Sequence, residues 1–169
     1  MTAPDSSGPS STAGGADPNG AAQPVVAALQ QVLLAHHAAV FGYPALGVHL
    51  DQDAEIAHAR ADEAAHRLSR DAIIDQLLAL GATADAAQAD YAPPAPLTTA
   101  SAARGWALEL EERTAAGYRF LLLAGVQAGG SQQPIRTQAM TGLTGAAGTA
   151  LYWRRLLHPQ RPTVPFPGT

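Results

Sequence analysis

The chain has 169 residues, 17.3 kDa, and a formal net charge of −4 at pH 7 with a pI near 5.8. That is one domain of ordinary size with a real core, and no basic stripe exists to neutralise phosphates, which argues against nucleic acid as partner. The absence of cysteine excludes disulfides, thiolate zinc sites and iron–sulfur clusters, and all ten basic residues are Arg, read here as codon bias in a GC-rich organism.

Residues 1–23 are rich in Ser, Thr, Gly, Pro, Asp and Ala. They carry neither a basic start nor an apolar run, so they read as a disordered tail and not as a signal peptide. The domain proper is expected over 24–169. No segment reads as a membrane span, because the most apolar stretch is interrupted by His36, His37 and Gln. The cytoplasm is the default location.

Helix one is expected from Pro24, a good first-turn residue, to about Leu50. Pro44 inside it predicts a kink over 40–44. Its apolar stripe is Val26, Leu29, Leu33, His36, Val40, Tyr43, Gly47, Leu50. Asp51-Gln52-Asp53 makes a tight connection and supplies an N-cap. Helix two is expected over about 52–80, ending at Gly81. Its stripe is Ile56, Ala59, Glu63, His66, Arg70, Ile73, Leu77, Leu80. The middle of each stripe is polar, and a polar group at a core position costs free energy unless it is paired.

Residues 82–99 contain Pro93-Pro94 and Pro96 and cannot be helical. Helix three, capped by Thr98, Thr99 or Ser101, is expected over about 100–125. Helix four is expected from Gln133-Pro134 to about Leu157. The tail from His158 holds four prolines, and Val164 and Phe166 predict that it docks on the bundle. Short loops make one–two and three–four antiparallel hairpins. The 18-residue middle connection reaches roughly 59 Å when extended, against about 42 Å for a 28-residue helix. It can run the length of the bundle, so the expected fold is an all-α four-helix bundle of two hairpins joined by a long crossover, the ferritin-like arrangement.

If helices one and two fold back at residue 51, His36 and His66 lie at one level, 15 positions to either side. Glu63 and His66 form an E-x-x-H pair on one helix face. The parallel third helix brings Glu111 to the same depth, within the stripe Leu108, Glu111, Ala115, Tyr118, Leu122. The candidate metal ligands are His36, Glu63, His66 and Glu111, with Tyr43, Arg70 and Tyr118 as supporting side chains. Imidazole and carboxylate suit iron, manganese or zinc, so a single such ion is the candidate cofactor, and none is assured. The alternative is a metal-free network in which carboxylates or tyrosine hydroxyls satisfy two core histidines. Glu63 has its own alternatives, Arg67 and Arg70; Glu112 replaces Glu111 if helix three is rotated. Tyr43 and Tyr118 also read as core aromatics with wet hydroxyls, His49 and His58 as surface residues, and Trp153 as a packing anchor. Arg154, Arg155 and Arg161 read as complementing the helix-four dipole. Helix four offers no ligand, only small residues near Gly148 and Thr149, where a di-iron centre needs E-x-x-H from two helices.

These features resemble a ferritin-like domain, in particular the actinobacterial ferritin-like family of unknown function. The resemblance rests on His36-His37 with Phe41-Gly42-Tyr43, His66 with Arg70-Asp71, Glu111-Glu112-Arg113 with Tyr118, Trp153-Arg154, and Phe166-Pro167-Gly168, and spans about 25–168. It implies the bundle fold and no established activity. Two functional readings follow: a scaffold with a degenerate metal site that binds a partner or small ligand, or a metal-binding protein with an incomplete His/Glu site and redox activity. An Ala-rich exterior permits a homodimer, though nothing in the spacing demands one.

Overall fold

In a computed structural model, the protein is described over residues 18–128 and 132–168. The chain there is all-helical: α1 spans Pro18–Gly47, α2 Asp53–Ala79, α3 Ala100–Gln127 and α4 Gln133–Leu157. Of the tail expected over 1–23, residues 1–17 lie outside the described residues, and 18–23 instead form the start of α1. That helix is continuous through both Pro24 and Pro44. It ends at Gly47, and His49 N–H then bonds Leu46 O at 3.0 Å.

The helix ends follow local chemistry. Thr99 caps α3, its Oγ1 accepting from Ala102 N–H at 3.1 Å. Gly81 takes φ +73, and Ala82 N–H reaches Leu77 O while Gly81 N–H reaches Leu78 O, a Schellman end that suits glycine. Pro134 sits in the first turn of α4, where its missing N–H is harmless. The N-cap of α2 differs from expectation. Gln52 occupies it without a side-chain bond, and Asp53 and Glu55 in the first turn complement the dipole.

Two apolar clusters show the topology. One joins Val25, Leu29 and Leu33 of α1 with Ile73 and Leu77 of α2, Leu121 of α3 and Ile135 and Ala139 of α4. The other joins Tyr43, Leu46 and Leu50 with Ala59, Trp106, Leu110 and Trp153. The early part of α2 thus meets the early part of α3 and the late part of α4. So α2 runs parallel to α3, and both hairpins are antiparallel. The connection between α2 and α3 climbs the side of α1: Gln30 holds Thr83 O and Asp85 N–H, His37 Nε2 lies 3.2 Å from Asp85 O, and Phe41 packs on Tyr91. This is the expected long crossover between two antiparallel hairpins of a four-helix bundle.

α1 packs on α2 and α3, and α3 on α4; α2 meets α4 more sparsely, through Gln138 Nε2 donating to Gln76 Oε1 at 2.9 Å and through His58 against Tyr152. The window Gln23–Gly47 is long and apolar enough to cross a membrane, with mean hydropathy 1.5, despite His36 and His37. More than half of that window is buried in the bundle, which accounts for its apolarity as that of a core helix. The C-terminal segment docks as expected, with Val164 and Phe166 beside α3 and α4 at one cavity and Gly168 closest in. Gly168 lies on α3, its carbonyl accepting from Arg119 at 3.0 Å, and at φ +77 a Cβ there would strike the Ala115 backbone at 2.8 Å. Phe166 stays largely exposed.

Candidate functional site

Between the two apolar clusters lies one polar layer, with a member from every helix. His36, His66 and Glu111 are all buried, at 3, 6 and 2 % exposure. The two imidazoles meet Nδ1 to Nδ1 at 2.8 Å. His66 Nε2 lies 2.8 Å from Glu111 Oε1, and the Tyr43 hydroxyl donates to the same oxygen at 2.6 Å. Trp153 Nε1–H donates to Tyr43 at 3.2 Å, and His36 Nε2 lies 3.0 Å from the Tyr118 hydroxyl. The result is a chain of six side chains, Tyr118–His36–His66–Glu111–Tyr43–Trp153, each with a partner.

The protons in this chain follow from its carboxylate end. An ionised Glu111 only accepts, so His66 carries its proton on Nε2 and accepts at Nδ1. His36 then donates from Nδ1 and accepts at Nε2 from Tyr118. Both rings are neutral in this arrangement. Burial above all, then repulsion from His66 and from His37 when either is protonated, hold His36 down to about 3, so it stays neutral at any ordinary pH. Burial, then Glu111, then Asp62 raise Tyr43 well above its usual value. Burial also raises Tyr118, opposed by a hydrogen bond with Ser69. A concerted shift of one proton per link would move a proton between Glu111 and Tyr118 with no side chain moving.

The layer is the floor of a cleft of about 500 Å³ between α2 and α4. The α4 wall is small: Gly142, Gly145, Ala146 and Thr149. Gly142 is required by Tyr118, because a Cβ there would lie 2.3 Å from the ring. The expectation of space opposite Glu111 holds at Thr149, whereas Gly148 faces the cavity under the C-terminal segment.

Glu63 is not brought to this layer. Its carboxylate takes the Arg67 guanidinium, and the residue lines a separate groove between α1 and α2. Arg70 likewise turns away, to Asp71 at 2.8 Å. The residue beside the floor is Asp62, which sequence reasoning missed. A signal existed: His58, Asp62 and His66 are four apart and share a helix face. Asp62 Oδ2 lies 3.4 Å from His58 Nε2 and has no hydrogen-bond partner. Burial above all lifts its carboxyl to about 6; His58 opposes the rise and Glu111 adds to it. His58 is not a simple surface residue either, since its ring lies 3.7 Å from that of Tyr152, centroid to centroid. Tyr43 and Tyr118 are buried and bonded, not wet, and Trp153 both packs and donates. Arg154 is buried against Glu112 as an ion pair.

A bound metal ion would impose a different spacing on this donor set. Tetrahedral zinc with Zn–N of about 2.0–2.1 Å holds two ligating nitrogens roughly 3.3 Å apart or more. The facing imidazole nitrogens are at 2.8 Å, a hydrogen-bond distance. Among the described residues, no group of three or more His, Asp or Glu is arranged to hold a metal. As arranged, His36, His66 and Glu111 satisfy one another and do not fit an ion; Glu63 is too far round the helix to join them.

No curated protein matches the chain. A solved structure of a conserved hypothetical protein, Rv2844, from Mycobacterium tuberculosis is similar at 29% identity with a TM-score of 0.72, covering 80% of this chain and 98% of that one. Over residues 28–169 the sequence matches a family described as a domain of unknown function (DUF4439), and the chain belongs to that family.

Proposed function

We propose that this protein is a ligand-binding bundle in which the cleft between α2 and α4 receives a small molecule above the floor of His36, His66, Glu111 and Tyr118. One observation carries the reading: a cavity of about 500 Å³ coincides with a buried polar layer that links all four helices. An apolar layer would pack at no desolvation cost. Larger side chains on α4 would close the gap, yet apart from Gln138 the α4 residues that line it are Gly, Ala and Thr. Small-molecule sites have this volume and this mixture of apolar wall with a few converging polar groups. The crossover connectivity supports a ferritin-like scaffold, and the mycobacterial relative supports an actinobacterial setting.

Gly145 supplies the test. It lines the cleft, and a Cβ there meets nothing within 4 Å, so Gly145→Leu fills space without a clash. In a fragment screen by NMR, bound compounds should shift the imidazole resonances of His36 and His66, and Gly145→Leu should erase those shifts while the melting temperature holds. Fragments that bind only elsewhere, or shifts that persist in Gly145→Leu, sink the proposal. Iron, manganese and zinc salts belong in the same screen. A stoichiometric ion that raises the melting temperature of a tag-free sample, and loses that effect in His66→Ala, would show that the imidazoles part to take a metal.

A further inference from the structure

The Arg residues nearest this region are committed elsewhere. Arg67 is on Glu63, Arg70 on Asp71, Arg104 on Glu55 and Arg154 on Glu112. None of them lines the cleft, and the chain has no lysine. Two carboxylates do line it, Asp62 and Glu111. The imidazoles add no compensating charge in the neutral arrangement derived above. Low-dielectric walls make such a field strong, so the cleft repels anions and attracts cations.

The geometry points to an organic amine, bound as its ammonium, as the ligand of this cleft, with Asp62 as the carboxylate that receives it. The inference rests on the cleft being a ligand site, and it adds the chemical class. Asp62 Oδ2 is buried and makes no hydrogen bond of ordinary geometry, its nearest polar neighbour being His58 Nε2 at 3.4 Å, so an N–H donor reaching Asp62 from the cleft would add a bond that the carboxylate lacks. Glu111 spends Oε1 on both Tyr43 and His66, so it contributes field more than a free acceptor. Ser69, Thr141 and Thr149 put hydroxyls around the same space, enough to meet the other two N–H groups of an ammonium. Ala65, Ala72, Ile73 and Ala146 give the cleft an apolar side, while Thr137 and Gln138 add neutral polar groups on α4 and no charge. A charged head on an apolar body matches that division. A bare ion would leave most of the cavity without a partner.

Titration calorimetry on the full chain at pH 7.5 decides the matter, with two shape-matched series. One is benzylamine, benzyl alcohol and benzoate; the other is hexylamine, hexanol and hexanoate. The amine of at least one series should bind at least tenfold more tightly than its alcohol, and the carboxylates should not bind. Asp62→Asn should weaken the amine about tenfold and leave the alcohol unchanged, and Gly145→Leu should abolish binding of both. The comparison within the unmodified protein stands even if a variant fails to fold. Alcohol or carboxylate binding as tightly as amine, or an amine indifferent to Asp62→Asn, overturns the amine class. If no amine binds while other fragments occupy the cleft, the amine class falls and the ligand site survives. If the cleft takes neither amines nor fragments, both fall together.

Discussion

His36 is the residue on which the polar layer turns, because it uses both ring nitrogens. Replacing it with Leu leaves the Tyr118 hydroxyl and His66 Nδ1 without their partner in a buried place. Each orphan costs about 1–3 kcal/mol, so His36→Leu should lose roughly 2–4 kcal/mol in urea unfolding, and Gln in its place distinctly less. Its titration gives a second reading. The folded His36 sits near 3 against 6.5 when free. Above 6.5 both states are neutral. As pH falls from 6.5 towards 3, the unfolded chain takes up a proton that the folded one refuses, and stability drops by about 1.4 kcal/mol per pH unit. Asp62 works the other way, because its folded value is raised to about 6 from 3.8. Between 6 and 4 the folded state holds a proton that the unfolded state lacks, so acidification through that window stabilises. The two oppose each other there. Asp62→Asn should therefore expose a loss of melting temperature starting near pH 6.5, and His36→Gln should remove that loss. Identical pH profiles for the wild type and His36→Gln would show that the ring does not resist protonation.

Among the elements, α2 is the one whose sequence misleads. Reading every third and fourth residue selects Glu63 and Arg70, yet the buried members near the layer are Ala59, His66 and Ile73, seven apart. Such a narrow seam leaves Asp62 and Glu63 on opposite flanks, one facing the α4 cleft and one the α1 groove. Which flank faces which neighbour depends on helix rotation in the assembled bundle, and the spacing of apolar residues in α2 does not encode it. On α1 and α3, wider buried faces made His36 and Glu111 legible. The start of α2 is anchored by charge: Arg104 of α3 bonds buried Glu55 through Nε at 2.8 Å and Nη2 at 2.9 Å, and reaches Asp51 at 2.8 Å. Removing the cation strands a buried carboxylate. Because Arg104 is partly exposed, Arg104→Met should cost about 2 kcal/mol, below the full cost of a broken buried pair. Hydrogen exchange should show the loss as faster opening in the first turns of α2, while α3 and α4 keep their protection. Uniform acceleration across all four helices would mean that the ion pair is not local to that end.

At the scale of the whole molecule, the layer exists only because α2 and α3 run in the same direction, and the crossover is what permits this. The connection lengths alone made it legible, since a short middle loop would have reversed α3 and carried Glu111 away from His66. The 20 residues between Ala79 and Ala100 reach about 66 Å when extended, and the 27-residue α2 they must pass is about 40 Å long. Slack is therefore roughly eight residues. Residues 86–89 are exposed and lie between the contacts at Asp85 and Tyr91. Deleting those four leaves about 53 Å of reach, so the chain should keep its helical content and the elution volume of the intact protein, with the His36–His66 pair in place. Deleting 85–94 leaves ten residues and about 33 Å, too short for the climb. That variant can assemble the layer only by lending its second hairpin to another copy, as swapped domains do. Size-exclusion chromatography should find it at a higher mass than the intact chain, with helical circular dichroism retained. A ten-residue deletion that elutes as the intact chain does, with the same imidazole resonances, would disprove the parallel arrangement and with it the common depth of His36, His66 and Glu111.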